Sequence, residues 1–210
     1  IRRQRQMCIR DRLNSRKSKG YVRDVFQQNH MSNLQGNFGI GHVRYPTAGG
    51  IGKEFAQPMY VNTPYGISLA HNGNLTNSKK LAAELFHAER RHINTDSDSE
   101  VLLNIFALEL SKQEAVFPKP KDFFAAVEKT HLRINGAYAV VALITGYGIV
   151  AFRDPLGIRP LTIGVRKGKN RNEYVVSSET ALFSATGFKV LRDVEPGEAV
   201  FIDNLSLIHI

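Results

Sequence analysis

The chain has 210 residues, 42% hydrophobic and 22% charged, which suits one sizeable soluble domain or two small ones. Its net charge of +9 is concentrated at the front, where residues 1–12 hold five arginines and one aspartate; no basic stripe interleaved with aromatics supports nucleic-acid binding. No apolar run is long enough to cross a bilayer, no apolar signal segment follows the arginines, and one cysteine excludes an internal disulfide framework.

In chain order, YGISLAHNGN (65–74) predicts a short strand ending in turn chemistry at Asn72-Gly73. TNSKKLAAELFHAERRHI (76–93) predicts a helix with Leu81, Leu85 and Ala88 on one face. A second helix is expected from Asp98 to Leu110, with Ser97 as its N-cap and Glu100 completing a capping box. KDFFAAVEKTHLRI (121–134) gives a third helix. The period then changes. AYAVVALI (137–144) and YGIVAFR (147–153) predict an antiparallel hairpin turning at Thr145-Gly146. EYVVSS (173–178) and EAVFID (198–203) are further strands. Helices lying between strand-rich halves argue for layered α+β packing rather than a repeating βαβ order.

Three segments carry residues suited to chemistry. In GIGHVRYPTAGG (39–50), Arg44 can grip a carboxylate through two parallel hydrogen bonds, or it is a surface arginine at a strand end. In LAHNGNLTN, Asn72-Gly73 is either a turn or an oxyanion hole formed by the Asn72 amide and the Gly73 N–H. In TDSDSE (95–100), Asp98 either complements the helix dipole or binds a substrate ammonium. An arginine for a carboxylate and an aspartate for an ammonium describe a pocket for a free amino acid. An oxyanion hole beside it makes the side-chain carbonyl the point of attack. The seven histidines show no metal-ligand spacing.

GHVRYPTAG, AQPMYVNTPYGISLAHNGNLTN, RRHINTDSDSEVLLNIFA, INGAYAVVALI, VAFRDPLGIRPL and VVSSETAL resemble the class II glutaminase domain of the amidophosphoribosyltransferase family. The likeness runs from about Asn14 to Asp203, and HVRYPTAG followed by AQP is its most specific part. The resemblance implies an N-terminal-nucleophile hydrolase fold, a four-layer αββα sandwich, here truncated at the N-terminus. It implies that Arg44 and Thr47 hold the glutamine α-carboxylate end and Asp98 the α-amino group. Asn72 and Gly73 would form the oxyanion hole, and Gly73 would also line the glutamine site. In the family an N-terminal cysteine attacks the glutamine amide with its own α-amine as base. Ammonia leaves, water resolves the thioester, and a phosphoribosyltransferase domain converts phosphoribosyl pyrophosphate to phosphoribosylamine. That reaction is the first step of de novo purine synthesis. The glutaminase domain is expected over residues 13–204, without its first strand and helix, and the phosphoribosyltransferase domain is absent. No cofactor is expected in this chain; magnesium belongs with the absent domain. Glutamine is the expected ligand, the full-length protein a cytoplasmic homo-oligomer, with no nucleic-acid or membrane partner.

Cys8 follows Met7, yet it is not expected to be the nucleophile. Arg10-Asp11-Arg12 follow it, and three successive charges do not fit a core strand. The His-Arg-Gly-Gln-Asp segment that accompanies the family's nucleophile is nowhere in the chain. Residues 1–12 and 205–210 are instead expected to be translated sequencing-adaptor DNA. Two other readings were open. Another class II amidotransferase, such as a glucosamine-phosphate or asparagine synthase, would show a different downstream domain. A non-catalytic glutamine sensor would show its own start and stop codons at these ends.

Overall fold

The computed structural model describes residues 12–34, 36–43, 52–169, 171–203 and 206–209. Arg44, Thr47 and Cys8 lie outside the described residues.

Two short helices, α1 (Val22–Val25) and α2 (Gln28–Asn33), precede a 3-10 turn and a six-stranded antiparallel sheet. That sheet has the order β1 (Met59–Val61), β2 (Ile67–Leu75), β3 (Gly136–Ile144), β4 (Gly148–Arg153), β8 (Ala199–Ile202), β9 (Leu207–His209). A second sheet places β5 (Thr162–Lys167) between β6 (Asn172–Ser177) and β7 (Lys189–Asp193). Between β2 and β3 the chain makes α3 (Ser78–His87), α4 (Asp98–Ser111) and α5 (Pro120–Arg133); α6 (Ala181–Thr186) follows β6.

The alternation of strand side chains separates the layers. Tyr138, Val140, Ala142, Val150, Phe152 and Phe201 join the helices in the main core. Ala139, Ala151 and Val200 point the other way and meet Leu161, Ile163 and Val194 at the second sheet. On that sheet's outer face the Phe183 ring of α6 lies over Gly164, where any Cβ would come within 3.1 Å of it. The layers therefore run helix, sheet, sheet, helix, the αββα order, with α6 as the described part of the outer layer.

Helix α4 is apolar almost all round because it is enclosed on all sides, against β1 and β2 on one side and α3 and α5 on the other. Its buried Glu109 is not orphaned. Arg133 of α5 reaches it and also Glu84 of α3, so one guanidinium joins three helices.

Three expectations change, and one further strand is found. The 76–93 helix ends at His87, and Ala88 is exposed: Arg90 adopts a left-handed φ of 54°, and Arg91 N–H donates to Leu85 C=O at 2.9 Å, closing the end. Ser97 is the N-cap by backbone, but no side-chain capping bond forms. Glu100 reaches further back and accepts from the N–H groups of Asn94 and Thr95 and the Thr95 hydroxyl. Asn72-Gly73 is no turn: β2 runs through both residues, paired to Ala139 and Tyr138. Residues 207–209 form β9, pairing with Val200–Ile202 at the sheet edge.

Candidate functional site

The direction of β2's hydrogen bonds locates the site. Thr145 N–H donates to Gly66 C=O at one end of the β2–β3 ladder, and Thr76 N–H to Asn135 C=O at the other. Hydrogen-bonded pairs recur every second residue in an antiparallel ladder. The even-numbered positions, Asn72 among them, therefore exchange bonds with β3. His71, Gly73 and Leu75 turn their backbone groups to the opposite edge. There β1 covers Ile67–Leu69 and stops.

Beyond β1, side chains take over. Gln57 accepts from His71 N–H through Oε1 at 2.7 Å and donates through Nε2 to His71 C=O at 3.3 Å. Asp98 Oδ2 accepts from Leu75 N–H at 3.0 Å. Gly73 N–H lies between these two capped neighbours and has no partner among the described residues. Its glycine identity is required by the backbone. Its φ is +154°, and a Cβ would sit 2.0 Å from Ala137 O and 2.8 Å from Tyr138 Cα.

Asn72 stands on the opposite face of β2 from Leu69 and Leu75, toward the second sheet. Its amide is half-buried and has no partner among the described residues. Two donors without acceptors among the described residues thus occur at consecutive positions, one from a side chain and one from the open strand edge.

Asp98 is brought to this edge by the start of α4. Its side chain is 22% exposed, and Oδ1 lies 3.9 Å from His71 Nδ1. The carboxylate also complements the positive end of the 14-residue helix, the dipole role weighed for it in the sequence. His71 is buried, and its Nδ1 lies 3.1 Å from Ser99 Oγ. Burial pushes the imidazole down from 6.5 to about 4 against the pull of Asp98, with His42 and Arg159 adding to the depression. His71 is therefore neutral at pH 7. Its partner Ser99 is buried as well and takes a hydrogen bond from Gln57 Nε2 at 3.0 Å.

Of the residues singled out in the sequence, the structure brings Asp98 to the strand edge that carries Gly73, with Asn72 next to Gly73 in the chain and its side chain on the other face of β2. Arg44 and Thr47 fall outside the described residues. Sequence reasoning missed Gln57, His71 and Ser99. The available signal was the two-residue spacing of His71, Gly73 and Leu75, which places all three on one strand edge.

The RDPLGIRPL segment is structural at its start. Arg153 donates to the carbonyls of Gly157, Arg159 and Val194, and both carboxylate oxygens of the fully buried Asp154 accept from Ile158 N–H. Ala139 pairs with both Asn72 and Arg153, so this braced loop starts in the same cross-strand row as the site. A cavity of about 820 Å³ opens between the 12–20 and 36–43 segments and the Ser68 end of β2, with Gln57 in its lining. Asn72, Gly73 and Asp98 do not line it. Ser68 and Gly73 are five residues apart, about 17 Å along a strand. Among the described residues no cluster of three or more His, Cys, Asp or Glu could hold a metal, and no helix is long and apolar enough to cross a membrane.

A sequence model described as the glutamine amidotransferase domain matches residues 51–185. The amidophosphoribosyltransferase of Pseudomonas aeruginosa is 56% identical over 195 residues, covering 93% of this chain and 39% of that protein. The Escherichia coli protein of the same name is 58% identical over 188 residues, covering 89% of this chain and 37% of its own length. Among solved structures, a B. subtilis glutamine phosphoribosylpyrophosphate amidotransferase complexed with ADP and GMP superposes with a TM-score of 0.78 at 32% identity. That match covers 96% of this chain and 40% of the other. The chain thus spans well under half the length of these relatives.

Proposed function

This chain belongs to the glutamine amidotransferase domain family, and we propose that its site binds free glutamine with the side-chain amide at Asn72 and Gly73. In this reading Asp98 takes the α-ammonium, while Arg44 and Thr47 take the α-carboxylate end. The observation that carries it is the Gly73 N–H on the open edge of β2, between the capped amides of His71 and Leu75. A donor left without an acceptor beside a carboxylate suits a ligand with an electron-rich carbonyl at one end and a cation at the other.

For the whole protein we propose the amidophosphoribosyltransferase reaction. A cysteine thiolate attacks the glutamine side-chain carbonyl, and the carbonyl electron pair moves onto the oxygen. Asn72 and Gly73 donate to that oxyanion. Collapse breaks the C–N bond, and protonated nitrogen leaves as ammonia. Water then cleaves the thioester to glutamate and regenerates the thiol. The ammonia goes to phosphoribosyl pyrophosphate, releasing pyrophosphate and forming phosphoribosylamine. Asp98 and Arg44 orient the amino acid and move no proton. We assign the nucleophile to a cysteine other than Cys8, so this chain binds glutamine without hydrolysing it.

Calorimetric titration tests the binding. Glutamine should bind saturably, and Asp98→Asn should weaken it by about 10- to 100-fold, the usual worth of a hydrogen bond to a charged group. No binding at millimolar glutamine, or equal binding by D98N, would refute the site. Glutamate release that survives Cys8→Ser would refute the inactivity.

A further inference from the structure

The AQP tripeptide, residues 56–58, is the part of the sequence pattern that the glutamine site leaves without a role. Its glutamine is not a surface residue. One carboxamide makes three polar contacts in two directions. Toward β2, Gln57 Oε1 accepts from His71 N–H at 2.7 Å, and Nε2 lies 3.3 Å from His71 C=O. Toward α4, the same Nε2 donates to Ser99 Oγ at 3.0 Å, and that oxygen lies 3.1 Å from His71 Nδ1. Ser99 Oγ in turn lies 3.5 Å from Asp98 Oδ1. The amide acts as one residue of a missing strand, pairing at the point where β1 has already ended. Lying in neither element, Gln57 bonds to both β2 and the first turn of α4.

We propose that Gln57 is a positioning residue: its carboxamide ties the open edge of β2 to Ser99, and so sets the placement of Asp98 relative to Gly73. The geometry explains why an amide is needed. Glutamate could accept from His71 N–H but could not donate to Ser99. Leucine could do neither, and it would leave His71 N–H and a buried serine hydroxyl without partners. Ser99 follows Asp98 directly, so a shift of one moves the other. Gly73 N–H sits two residues from each amide that the clamp and Asp98 hold. A movement of α4 along β2 would therefore separate the ammonium contact from the oxyanion donor, and a misplacement of 1 Å at such a pair costs about 100-fold in related chemistry. The ligand arm of the test rests on the glutamine reading above; the structural arm does not.

The structural arm is hydrogen exchange read residue by residue by NMR in the ligand-free chain. The reporter is Leu75 N–H, which Asp98 holds and Gln57 does not touch. Gln57→Ala should accelerate its exchange about tenfold, the worth of one weakened hydrogen bond. Val140 and Val150, in the central strands, should keep their rates. Ser99→Ala, which removes one oxygen from a residue that a helix tolerates as alanine, should act in the same direction and covers the case in which Q57A fails to fold. Gln57→Glu should restore protection at His71 N–H but not at Leu75. Unchanged Leu75 exchange, or equal acceleration at every amide, overturns the proposal. The ligand arm compares binding of glutamine with 5-amino-5-oxopentanoate, which lacks the α-amine. Q57A should reduce the preference for glutamine about tenfold, whereas a merely structural residue would weaken both ligands alike. If the unmodified chain binds neither compound, the glutamine reading fails and the exchange result still decides the positioning.

Discussion

Gly73→Ala puts the geometry of the site to its hardest test. The new Cβ would lie 2.0 Å from Ala137 O, with Tyr138 Cα at 2.8 Å. Both are backbone atoms of β3, so no rotamer change relieves them. Restoring an ordinary contact of 3.4 Å requires the strands to part by about 1.4 Å. The pairs on either side, Asn72 with Ala139 and Asn74 with Ala137, are those that bond across the ladder, and they cannot stretch that far. A φ of +154° adds its own cost for any residue with a Cβ, about 1–3 kcal/mol. Overpacking against fixed backbone adds about the same. The expected loss is about 2–6 kcal/mol, a large fraction of the roughly 5–15 kcal/mol that typical domains have. Urea unfolding followed by far-ultraviolet circular dichroism measures it, with Gly41→Ala as the control, since a Cβ there meets nothing within 4 Å. The control should stay within about 0.5 kcal/mol of the unmodified chain. A G73A chain as stable as G41A would show that β2 and β3 do not pair at this register, and the argument for an outward Gly73 N–H would fall with it.

Acid should destabilise the fold well before its carboxylates are protonated. Burial holds both His71 and His131 at about 4, against 6.5 in an unfolded chain. A depressed histidine is neutral in the folded state and takes up its proton on unfolding. Its stability is thus whole above pH 6.5 and lost as pH falls toward 4, by up to about 3 kcal/mol for His71. Urea midpoints that are flat from pH 7 to 4.5 would contradict this, and His131→Gln should remove part of the slope. Arg153→Lys should cost about 3 kcal/mol, because an ammonium cannot reproduce a planar fork that donates to three separate carbonyls. The measurement is the same urea titration, and a cost under 1 kcal/mol would mean that the 154–160 loop keeps its shape without the guanidinium.

The elements legible in the sequence are those whose signals are local. Helix α4 follows from its apolar run and from Ser97 before Asp98; the β3–β4 hairpin follows from β-branched runs around Thr145-Gly146. Strands β5 and β7 were not legible, because VRK and KVLRD end in charged, exposed positions and gain their pairing from β6 and from β5 respectively. Asn-Gly was ambiguous for a similar reason. Two local rules favour a turn there, but β3, more than sixty residues downstream, supplies a ladder that carries β2 through it.

The same distinction runs through the site. Asp98 and Gly73 can be suspected from residue type alone, since a carboxylate at a helix start and a glycine after asparagine are recognisable patterns. Gln57 cannot, because its partners lie 14 and 42 positions away, too far for any local pattern to pair them with it. Its role is set by where β1 stops. A longer β1 would bond to His71 through its backbone, but it would also continue toward Gly73 and occupy the donor that the site leaves open. A side-chain amide caps one residue and goes no further. The early end of β1, the clamp at His71, the open Gly73 and the Asp98 cap at Leu75 are therefore one arrangement along a single edge, and each is needed for the next.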